Sequence, residues 1–362
     1  MKITFVLPHA DLSGGIRVAA IYADRLKKRG HDVFVVSTPR SDLSLPQKLK
    51  GVLKGLGWVT LPKRSPSHMD TVAVKHSVLE KARPVTDADV PDADVIIATW
   101  WETAEWVAAL SPSKGVKAYF IQHYEAFDYV PKGRVEATWT LPMHKIVVAD
   151  WLGKIAENLY QDSSASIVPN GVDPQVFFAA PRGKQKTPTI GMVYTSPSWK
   201  GCDICLEAYA LAVQKVPNLR LVAFGGKLVD HLPLPDGVEY MQSPPQDKIR
   251  ELYAQCDAWL FGSRSEGYGL PILEAMACRT PVIGAPTGAA PELLANKAGI
   301  LVKPEDPRDM AEAIVKICQM PEAEWQSLSD RAYAVARLHT WDEAVERFEA
   351  ALKQAINHDK GN

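Results

Sequence analysis

The sequence is poor in the features that define several protein classes. Cysteine is scarce and odd in number, with five among 362 residues, so a reducing, cytoplasmic setting is expected rather than a disulfide framework. The longest apolar stretches resemble residues 95–101, far short of the roughly 18 apolar residues of a membrane-spanning helix. The apolar run at the N-terminus ends at Leu7, which is too short for a signal peptide. We therefore expect a protein that is soluble or attached only to a membrane surface.

An excess of either charge is also missing. Lys and Arg number 41 and Asp and Glu number 42, a net charge of −1, which excludes a nucleic-acid binder held by bulk charge. From Arg40 to Arg64, however, six basic residues stand against the single acid Asp42, and leucines and a tryptophan lie between them. This composition fits an amphipathic helix packed on its own domain, the interpretation we favour, or a peripheral contact with the inner face of a membrane.

The first part of the chain alternates strand and helix patterns. Residues 2–7 form a short apolar run, residues 16–26 carry apolar side chains at helical spacing, and residues 33–37 form a second apolar run. A strand, a helix and a strand within 40 residues predict a βαβ unit and hence a parallel sheet. Further strands are predicted at 95–99, 118–122 and 145–148.

A second alternating set begins after residues 178–188, which contain two prolines and a glycine and are predicted to be an interdomain linker. Its strands are predicted at 189–194, 219–224, 238–241, 258–261, 281–284 and 299–302. The sequence thus predicts an α/β protein with two Rossmann-like, doubly wound domains that face each other across a cleft. The predicted N-terminal domain is 1–178, the C-terminal domain is 189–340, and a C-terminal helix, 341–362, packs back toward the N-terminal domain.

The first candidate for ligand binding follows the first predicted strand. Ser13, Gly14 and Gly15 open the first helix, where free backbone N–H groups and the helix dipole favour an anion. The segment lacks the G-x-G-x-x-G dinucleotide fingerprint, and the sequence contains no G-x-x-x-x-G-K-[ST] phosphate loop. Taken alone, the two glycines are equally compatible with a simple turn.

A stronger candidate spans residues 262–283. A predicted strand is followed by a loop with Glu266 and two glycines, and Pro271 then suits the first turn of a helix. The amides around Gly269 would point toward phosphate oxygens, and the carboxylate of Glu266 would bind sugar hydroxyls. Glu274 lies one turn inside an otherwise apolar helix, so it is predicted to face a polar cleft and a second diol such as a ribose. The alternative for a single glutamate is an internal salt bridge.

These residues resemble the E-x7-E signature of the retaining glycosyltransferases of the GT-B fold, specifically family 4 (glycosyl transferases group 1). Residues 168–177 (VPNGVDPQVF) resemble the PNGVD segment of that family, and residues 199–203 (WKGCD) resemble its K-G-x-D. The glycines at 14 and 15 are similar to its first glycine loop. The resemblance extends over nearly the whole chain and is densest in the second half.

The resemblance implies roles for the donor site. Gly15 would approach the diphosphate of a nucleotide sugar, and Lys200 would neutralise it. Glu266 would hold hydroxyls of the transferred sugar, and Glu274 would bind the ribose. The predicted catalytic residues are Glu266, His123 and Lys200; the predicted donor-binding residues are Gly14, Gly15, Lys200, Glu266, Gly267, Tyr268, Gly269, Leu270 and Glu274.

Acceptor or secondary contacts are predicted at four further positions, and the catalytic candidate His123 lies near one of them. Members of the family carry a His near His123 that contacts the donor sugar, although this residue also suits a plain strand end. Glu125 shares that loop and is predicted to face the acceptor. The family often has an Arg a few residues before the Lys, and here that Arg is missing, so Arg264 or Arg17 is the candidate replacement. Asn170 is a further possible contact in the segment that resembles PNGVD.

No metal or other cofactor is expected. Residues 202–205 read C-x-x-C, but no second such pair exists, and both cysteines fall on an apolar stripe, so we predict packing. The D-x-D sequences at 87–89 and 92–94 precede a strand rather than follow one. The diphosphate charge would instead be met by helix N-termini and Lys200.

The sequence thus predicts a retaining hexosyltransferase that moves a sugar from a nucleotide diphosphate sugar to an acceptor hydroxyl, in polysaccharide, glycan or glycolipid biosynthesis. Two enzymatic alternatives share the fold, a sugar-nucleotide epimerase and a phosphorylase. A third alternative is a carbohydrate-binding homologue without catalytic activity. Intact Glu266, Glu274 and Lys200 favour an enzyme.

Overall fold

The computed structural model describes residues 1–40 and 66–361, and the described residues divide into two compact units. Unit 1 comprises the described part of Met1–Val148, Leu152–Val168 and the end of the chain from Val345. Unit 2 comprises Ala149–Trp151 and Pro169–Ala344. The predicted basic segment from Arg40 to Arg64 lies almost entirely outside the described residues.

Seven parallel strands form the sheet of unit 1 within the described ranges, in the order β3-β2-β1-β4-β5-β6-β7. The strands are β1 (Lys2–His9), β2 (Asp32–Thr38), β3 (Lys75–Val78), β4 (Val95–Ala98), β5 (Val116–Ile121), β6 (His144–Val147) and β7 (Ser166–Ile167). The helices are α1 (Gly14–Lys28), α2 (Trp101–Ala109), α3 (Lys132–Thr138) and α4 (Asp150–Tyr160). Because the strand order reverses between β1 and β4, the switch point where such sheets bind ligands lies there.

Unit 2 repeats this plan with six parallel strands in the order β10-β9-β8-β11-β12-β13. The strands are β8 (Thr189–Tyr194), β9 (Arg220–Gly225), β10 (Glu239–Gln242), β11 (Ala258–Phe261), β12 (Val282–Gly284) and β13 (Ile300–Leu301). The helices are α5 (Cys202–Val213), α6 (Gln246–Ala254), α7 (Leu270–Ala277), α8 (Ala290–Leu293), α9 (Pro307–Gln319), α10 (Glu322–Leu338) and α11 (Trp341–Gly361), the last of which continues into unit 1. The order reverses between β8 and β11, which sets the switch point of this sheet.

The core of unit 1 includes the C-terminal helix. Phe348 of α11 packs with Tyr22 at a ring-centroid distance of 4.4 Å, with Phe120 at 5.0 Å and with Phe5 at 6.3 Å. All four rings are buried, and burial of a side chain of this size contributes roughly 2–3 kcal/mol. The last helix from Val345 onward is therefore part of the N-terminal unit, joined to it by apolar packing.

The segment predicted to be a linker is tied to unit 2. Arg182 donates to the side-chain oxygen of Thr280 at 2.9 Å and stacks on Trp325 with its guanidinium carbon 4.8 Å from the ring centroid. Lys184 Nζ donates to the backbone oxygens of Cys318 and Met320 at 2.6 and 2.9 Å. The prolines and polar side chains of residues 178–188 predicted an interdomain linker. In the structure, Arg182 and Lys184 instead bond to groups of unit 2.

The secondary structure differs from the sequence-based prediction in a few elements. The strands that carry the predicted motifs are present within one or two residues of their predicted bounds. The predictions did not include β3 and β7 or helices α2, α3, α4 and α8, because short or polar strands and short helices have weak periodicity. In the part of the chain that the structure describes, no helix has the length and apolar character needed to cross a membrane.

Candidate functional site

Lys200 and Glu266 meet at the switch point of unit 2. Lys200 lies in a 3-10 turn, Ser198–Lys200, just after β8, and Glu266 lies in the loop after β11. Lys200 Nζ is 2.7 Å from Glu266 Oε1, and the hydroxyl of Ser263 donates to the same oxygen at 3.0 Å. The side chains are 35% and 14% exposed. A cation and a carboxylate are thus held together at the sheet edge where open α/β sheets bind ligands.

Backbone contacts fix the two loops against each other. The amides of Arg264 and Ser265 donate to the carbonyl oxygen of Trp199 at 2.8 and 3.2 Å. Gly201 follows the turn in the left-handed region, with φ of +61°, and the backbone of Gly262 lies so close that a Cβ at Gly201 would overlap it. Only glycine tolerates both conditions. The geometry of the Lys200–Glu266 pair is therefore set by the backbone as well as by the two charges.

Arg264 reinforces this arrangement with its side chain. Its guanidinium makes a two-pronged contact with the carboxylate of Asp203 at 2.8 and 2.7 Å, and its Nε lies 2.6 Å from Glu305. It also donates to the backbone oxygen of Ser198 at 2.6 Å. Asp203 and Glu305 raise the pKa of Arg264 above its usual value. Arg264 is engaged by protein carboxylates, which argues against it as the replacement for the family's missing Arg.

Gly269 lies between the loop that follows β11 and the start of helix α7, where the sequence predicts phosphate-binding amides. Gly269 has a φ of +97° and directly precedes α7, whose first residues are Leu270 and Pro271. The carbonyl oxygen of Gly267 accepts from the indole of Trp151 at 2.9 Å, and that of Tyr268 accepts from the amide of Ala289 at 2.8 Å. These bonds orient the carbonyls toward the protein. At the start of α7, Pro271 has no N–H and the amide of Ile272 donates to the carbonyl oxygen of Gly269 at 3.0 Å, so the amide of Leu270 is the helix-start N–H without an intrahelical partner.

Glu274 lies on α7 with only 6% of its surface exposed. The hydroxyl of Tyr253, on α6, donates to Glu274 Oε2 at 2.9 Å. Tyr253 is itself buried, with ring centroids of Trp259 and Phe224 at 4.3 and 5.8 Å. The sequence does not reveal Tyr253 as a site residue, because it occupies an ordinary apolar position of a helix and its partner lies 21 residues away.

The predicted glycines of unit 1 open α1, at the carboxyl end of β1. A Cβ at Gly14 would meet no atom within 4 Å, and at Gly15 it would meet the side chain of Gln122 only at ordinary distances. Neither glycine has a positive φ. Packing in unit 1 therefore does not require these glycines, which leaves the close approach of a ligand as a reason for them. Arg17 follows in the first turns of the same helix.

The loop after β5 holds His123 and Glu125. Nδ1 of His123 is 2.8 Å from the backbone oxygen of Tyr124. Glu125 is 2% exposed, and its Oε2 accepts from the amide of Trp101 at 2.7 Å and from the hydroxyl of Tyr119 at 3.0 Å. Burial raises the pKa of this carboxyl to about 8. Glu125 thus joins the loop to the start of α2, and its predicted contact with an acceptor stays a prediction.

The other residues singled out in the sequence are buried or paired with neighbouring side chains. Asn170 is buried in unit 2, and among the described residues its Oδ1 has no hydrogen-bond partner. Cys202 and Cys205 are buried, and burial raises the pKa of both thiols. Asp89 pairs with Arg83. Within residues 1–40 and 66–361, no group of three or more His, Cys, Asp or Glu side chains is arranged to hold a metal ion.

The sequence of unit 2 matches a known family. Residues 175–335 match the family model described as glycosyl transferases group 1. This range includes Lys200, Glu266 and Glu274, together with every loop contact described above for the Lys200–Glu266 pair. The matched segment covers less than half of the chain and lies within unit 2.

Relatives of known activity align with the chain. A D-inositol 3-phosphate glycosyltransferase of Acidothermus cellulolyticus is 27% identical over 97% of this chain and 88% of its own length. One phosphatidylinositol N-acetylglucosaminyltransferase subunit, from Arabidopsis thaliana, is 27% identical over 52% of this chain and 44% of its own length. A D-inositol 3-phosphate glycosyltransferase of Actinosynnema mirum is 29% identical over 52% of this chain and 51% of its own length. The chain spans about half the length of the last two relatives.

Solved structures show the fold of the chain. Sucrose-phosphate synthase from Thermosynechococcus elongatus superposes with a TM-score of 0.73 at 14% identity, over 99% of this chain and all of that one. Anabaena HepE, solved in complex with UDP and glucose, gives a TM-score of 0.74 at 16% identity, over 98% and 100% of the two chains. The chain therefore has the GT-B fold of these glycosyltransferases, and its C-terminal unit is related in sequence to the glycosyl transferases group 1.

Proposed function

We propose that the protein is a retaining glycosyltransferase of the family 4 type. It transfers a hexose from a nucleotide diphosphate sugar to an acceptor hydroxyl, in the biosynthesis of a polysaccharide, glycan or glycolipid. The whole-chain relationship to inositol phosphate glycosyltransferases supports this proposal. So does the family match of the segment that carries Lys200, Glu266 and Glu274.

One observation carries the proposal: Lys200 and Glu266 form a 2.7 Å ion pair at the switch point of unit 2, beside the start of α7. The side chain of Lys200 is 35% exposed, so its ammonium group suits a diphosphate oxygen, and the amide of Leu270 at the start of α7 suits a second one. Glu266 is neutralised by Lys200, so a diphosphate that binds Lys200 would release the carboxylate toward the sugar. In this position Lys200 can bind the diphosphate of a nucleotide sugar, and Glu266 can bind its sugar.

In the proposed reaction the bond between the anomeric carbon and the diphosphate oxygen breaks. The new bond to the acceptor oxygen forms on the same face of the sugar, and the leaving diphosphate takes the acceptor's proton. Lys200 and helix amides stabilise the negative charge that develops on the leaving group. Glu266 stabilises positive charge near the anomeric carbon, and Glu274 binds the ribose. No metal ion is needed in this scheme, because these groups meet the charge.

The donor is tested first by thermal shift with UDP, GDP, ADP and TDP, since a ligand stabilises the fold that it binds. UDP is the first choice, because the HepE structure was solved with UDP and glucose. The transfer assay then follows nucleoside diphosphate release and the anomeric configuration of the product by proton NMR. Acceptor-dependent release supports a transferase, whereas inversion at the anomeric carbon contradicts the retaining mechanism.

The same assay separates the alternatives. An epimerase converts the nucleotide sugar without an acceptor. A phosphorylase releases no nucleoside diphosphate, and it forms a sugar phosphate only when inorganic phosphate and a saccharide are supplied. A non-catalytic homologue binds the nucleotide but releases no product.

The location of the protein is also part of this proposal: we propose that it acts in the cytoplasm and contacts the inner face of a membrane through the segment from Arg40 to Arg64. Sedimentation with vesicles that contain anionic lipids at low salt tests the membrane contact.

A further inference from the structure

Unit 1 carries a cluster of aromatic side chains, here termed the aromatic cluster, formed by Trp100, Phe127 and Tyr129. The rings of Phe127 and Tyr129 lie 5.2 Å apart between centroids with an interplanar angle of 4°. Those of Trp100 and Phe127 lie 6.4 Å apart at 18°. The imidazole of His123 packs on Phe127 at 4.8 Å. The three aromatic rings are therefore nearly parallel and lie beside a residue already predicted to act in catalysis.

The cluster is assembled by specific bonds at its base. The carboxylate of Glu125 joins the amide of Trp101, next to Trp100, to the hydroxyl of Tyr119 on β5. The amide of Phe127 donates to the backbone oxygen of Glu125 at 2.8 Å, and the amide of Val130 donates to that of Phe127 at 3.1 Å. These bonds bring the residue that follows β4 and the loop that follows β5 to one place.

The cluster is open and lies where the fold favours ligands. Tyr129 is 69% exposed, and Phe127 and Trp100 are half-buried. Single exposed aromatic residues are common, but a group of aligned rings in contact with water indicates a binding surface. Trp100 and the loop with Phe127 follow the carboxyl ends of β4 and β5, the edge at which open α/β sheets bind ligands.

The neighbouring charges favour an uncharged ligand. Arg134 stacks on Trp101 and is paired with Glu105 at 3.0 Å. Lys132 is paired with Glu136 at 3.8 Å. Among the described residues, Arg134 and Lys132 are thus both paired with protein carboxylates, so neither offers an unpaired charge to an anionic headgroup. A sugar ring is uncharged, presents C–H groups to an aromatic face and directs its hydroxyls to the polar rim of the site.

We propose that the aromatic cluster binds a sugar ring of the acceptor, so that the acceptor is a saccharide rather than a lipid headgroup. This inference rests on the proposed function and specifies its acceptor class. Tyr129 supplies the exposed ring face, Phe127 stacks on Tyr129 and supports it, and Glu125 is a positioning residue that holds their loop. The sugar ring stacks on the cluster and presents a neighbouring hydroxyl for transfer.

The test uses the full chain and a panel of neutral oligosaccharides of glucose, galactose, mannose and N-acetylglucosamine. Binding is measured by saturation-transfer NMR for the wild type, for the double variant Phe127→Leu/Tyr129→Leu and for Phe178→Leu. Phe178 is a matched control, since it is an aromatic residue of unit 2 that is also exposed. We expect the wild type and the control to bind a saccharide of the panel, and the double variant to bind it at least tenfold more weakly.

Two further measurements keep the inference separate from the proposed function. Circular dichroism and the thermal shift by nucleoside diphosphates should be the same in all three proteins, because the double substitution lies in unit 1 and Phe178 is an exposed residue of unit 2. If no nucleoside diphosphate binds the wild type, the proposed function is contradicted, whether or not a saccharide binds. Equal saccharide affinity of the double variant would overturn the inference alone. So would binding of vesicles that contain phosphatidylinositol with no binding of any saccharide in the panel.

Discussion

The two units place their candidate residues at the same kind of sheet edge but hold them differently. In unit 2 the loops after β8 and β11 are joined by backbone bonds to Trp199, by the Arg264–Asp203 contact and by the Lys200–Glu266 pair. In unit 1, Gly14 borders open space and a Cβ at Gly15 would lie at ordinary contact distance from Gln122, while the aromatic cluster has one exposed ring, Tyr129, and two half-buried ones. At the sheet edge of unit 2 the candidate residues are charged and bonded to one another, whereas at the sheet edge of unit 1 they are glycines and aromatic residues.

This difference is what two unlike substrates would require. A nucleotide diphosphate has a fixed charge pattern, and a preorganised set of charges and amides binds it at little cost of reorganisation. A neutral saccharide has no charge, so an aromatic surface with a polar rim binds it through the contact area between the sugar ring and the aromatic rings. The comparison therefore predicts that substitutions in unit 2 reduce donor use strongly, whereas those in unit 1 have smaller effects on the donor.

The largest effect is expected for Glu266→Gln. Loss of the carboxylate removes stabilisation of charge near the anomeric carbon, so kcat should fall on the order of 10²–10³-fold. Nucleoside diphosphate binding by calorimetry should persist, since Lys200 would be freed from its ion pair. Glu312→Gln, an exposed substitution on α9, is the control. Unchanged transfer in Glu266→Gln would remove this residue from the mechanism.

A smaller loss is expected for Lys200→Met, which deletes the ammonium group and leaves Glu266 without its cation. We expect kcat/KM for the donor to fall by about 100-fold, because the developing charge on the diphosphate loses a charged partner. Steady-state kinetics with the donor varied provide the measurement. Lys215→Met, at an exposed position of unit 2, should behave as the wild type. If both lysine variants lose activity equally, the effect belongs to the overall charge rather than to the site.

Tyr253→Phe tests the support of the second carboxylate. The change removes the hydroxyl that donates to Glu274 and retains the ring that packs on Trp259. A hydrogen bond to a charged group contributes about 1.5–3 kcal/mol, so the donor KM should rise by about 10- to 150-fold with kcat nearly unchanged. Tyr209→Phe, which removes a hydroxyl bonded to the backbone of the same unit, should leave KM unaltered. A fall in kcat alone would contradict a role of Tyr253 in positioning Glu274.

The mildest test addresses the base of the aromatic cluster in unit 1. Burial raises the pKa of Glu125 to about 8, from 4.5 without the fold. The folded state therefore holds the proton more tightly, and stability falls as pH rises from about 4.5 to 8, by up to ~1.4 kcal/mol per pH unit. Glu125→Gln carries no titratable group and should lose less stability over this range.

Thermal unfolding midpoints between pH 5 and 9 provide the comparison for Glu125→Gln. The exposed substitution Glu80→Gln should follow the wild type at every pH. Parallel profiles for Glu125→Gln and the wild type would show that the carboxyl does not titrate in this range. A steeper profile for the wild type would support a protonated Glu125 at the base of the cluster near neutral pH.

The sequence predicted the α/β class, the GT-B fold and most of the strands that carry the site. The α/β class and the strands are readable because a buried parallel strand is a continuous apolar run, and glycine and proline mark the loop before α7. The GT-B fold was predicted from the resemblance of the motifs to a known family. Lys200 and Glu266 were each assigned from local motifs. Their pairing is a property of the sheet order, which places β8 next to β11 and cannot be read from either motif.

The residues that the sequence did not reveal act over long separations in the chain. Tyr253 lies in an ordinary amphipathic helix, and its role depends on the packing of α6 beside α7. Arg264 was a candidate for the diphosphate, but its partners Asp203 and Glu305 lie 61 residues before it and 41 residues after it. The aromatic cluster combines a residue after β4 with a loop after β5. Such contacts are fixed by tertiary structure, to which periodicity and local motifs do not respond.

The most direct measurement is calorimetric titration of the full chain with UDP-, GDP-, ADP- and TDP-sugars, repeated with Lys200→Met and Lys215→Met. We predict one binding site for one of these nucleotide sugars, with affinity reduced about tenfold or more in Lys200→Met and unchanged in Lys215→Met. No detectable association with any nucleotide sugar, or equal affinity in all three proteins, would contradict a donor site built on Lys200 and Glu266.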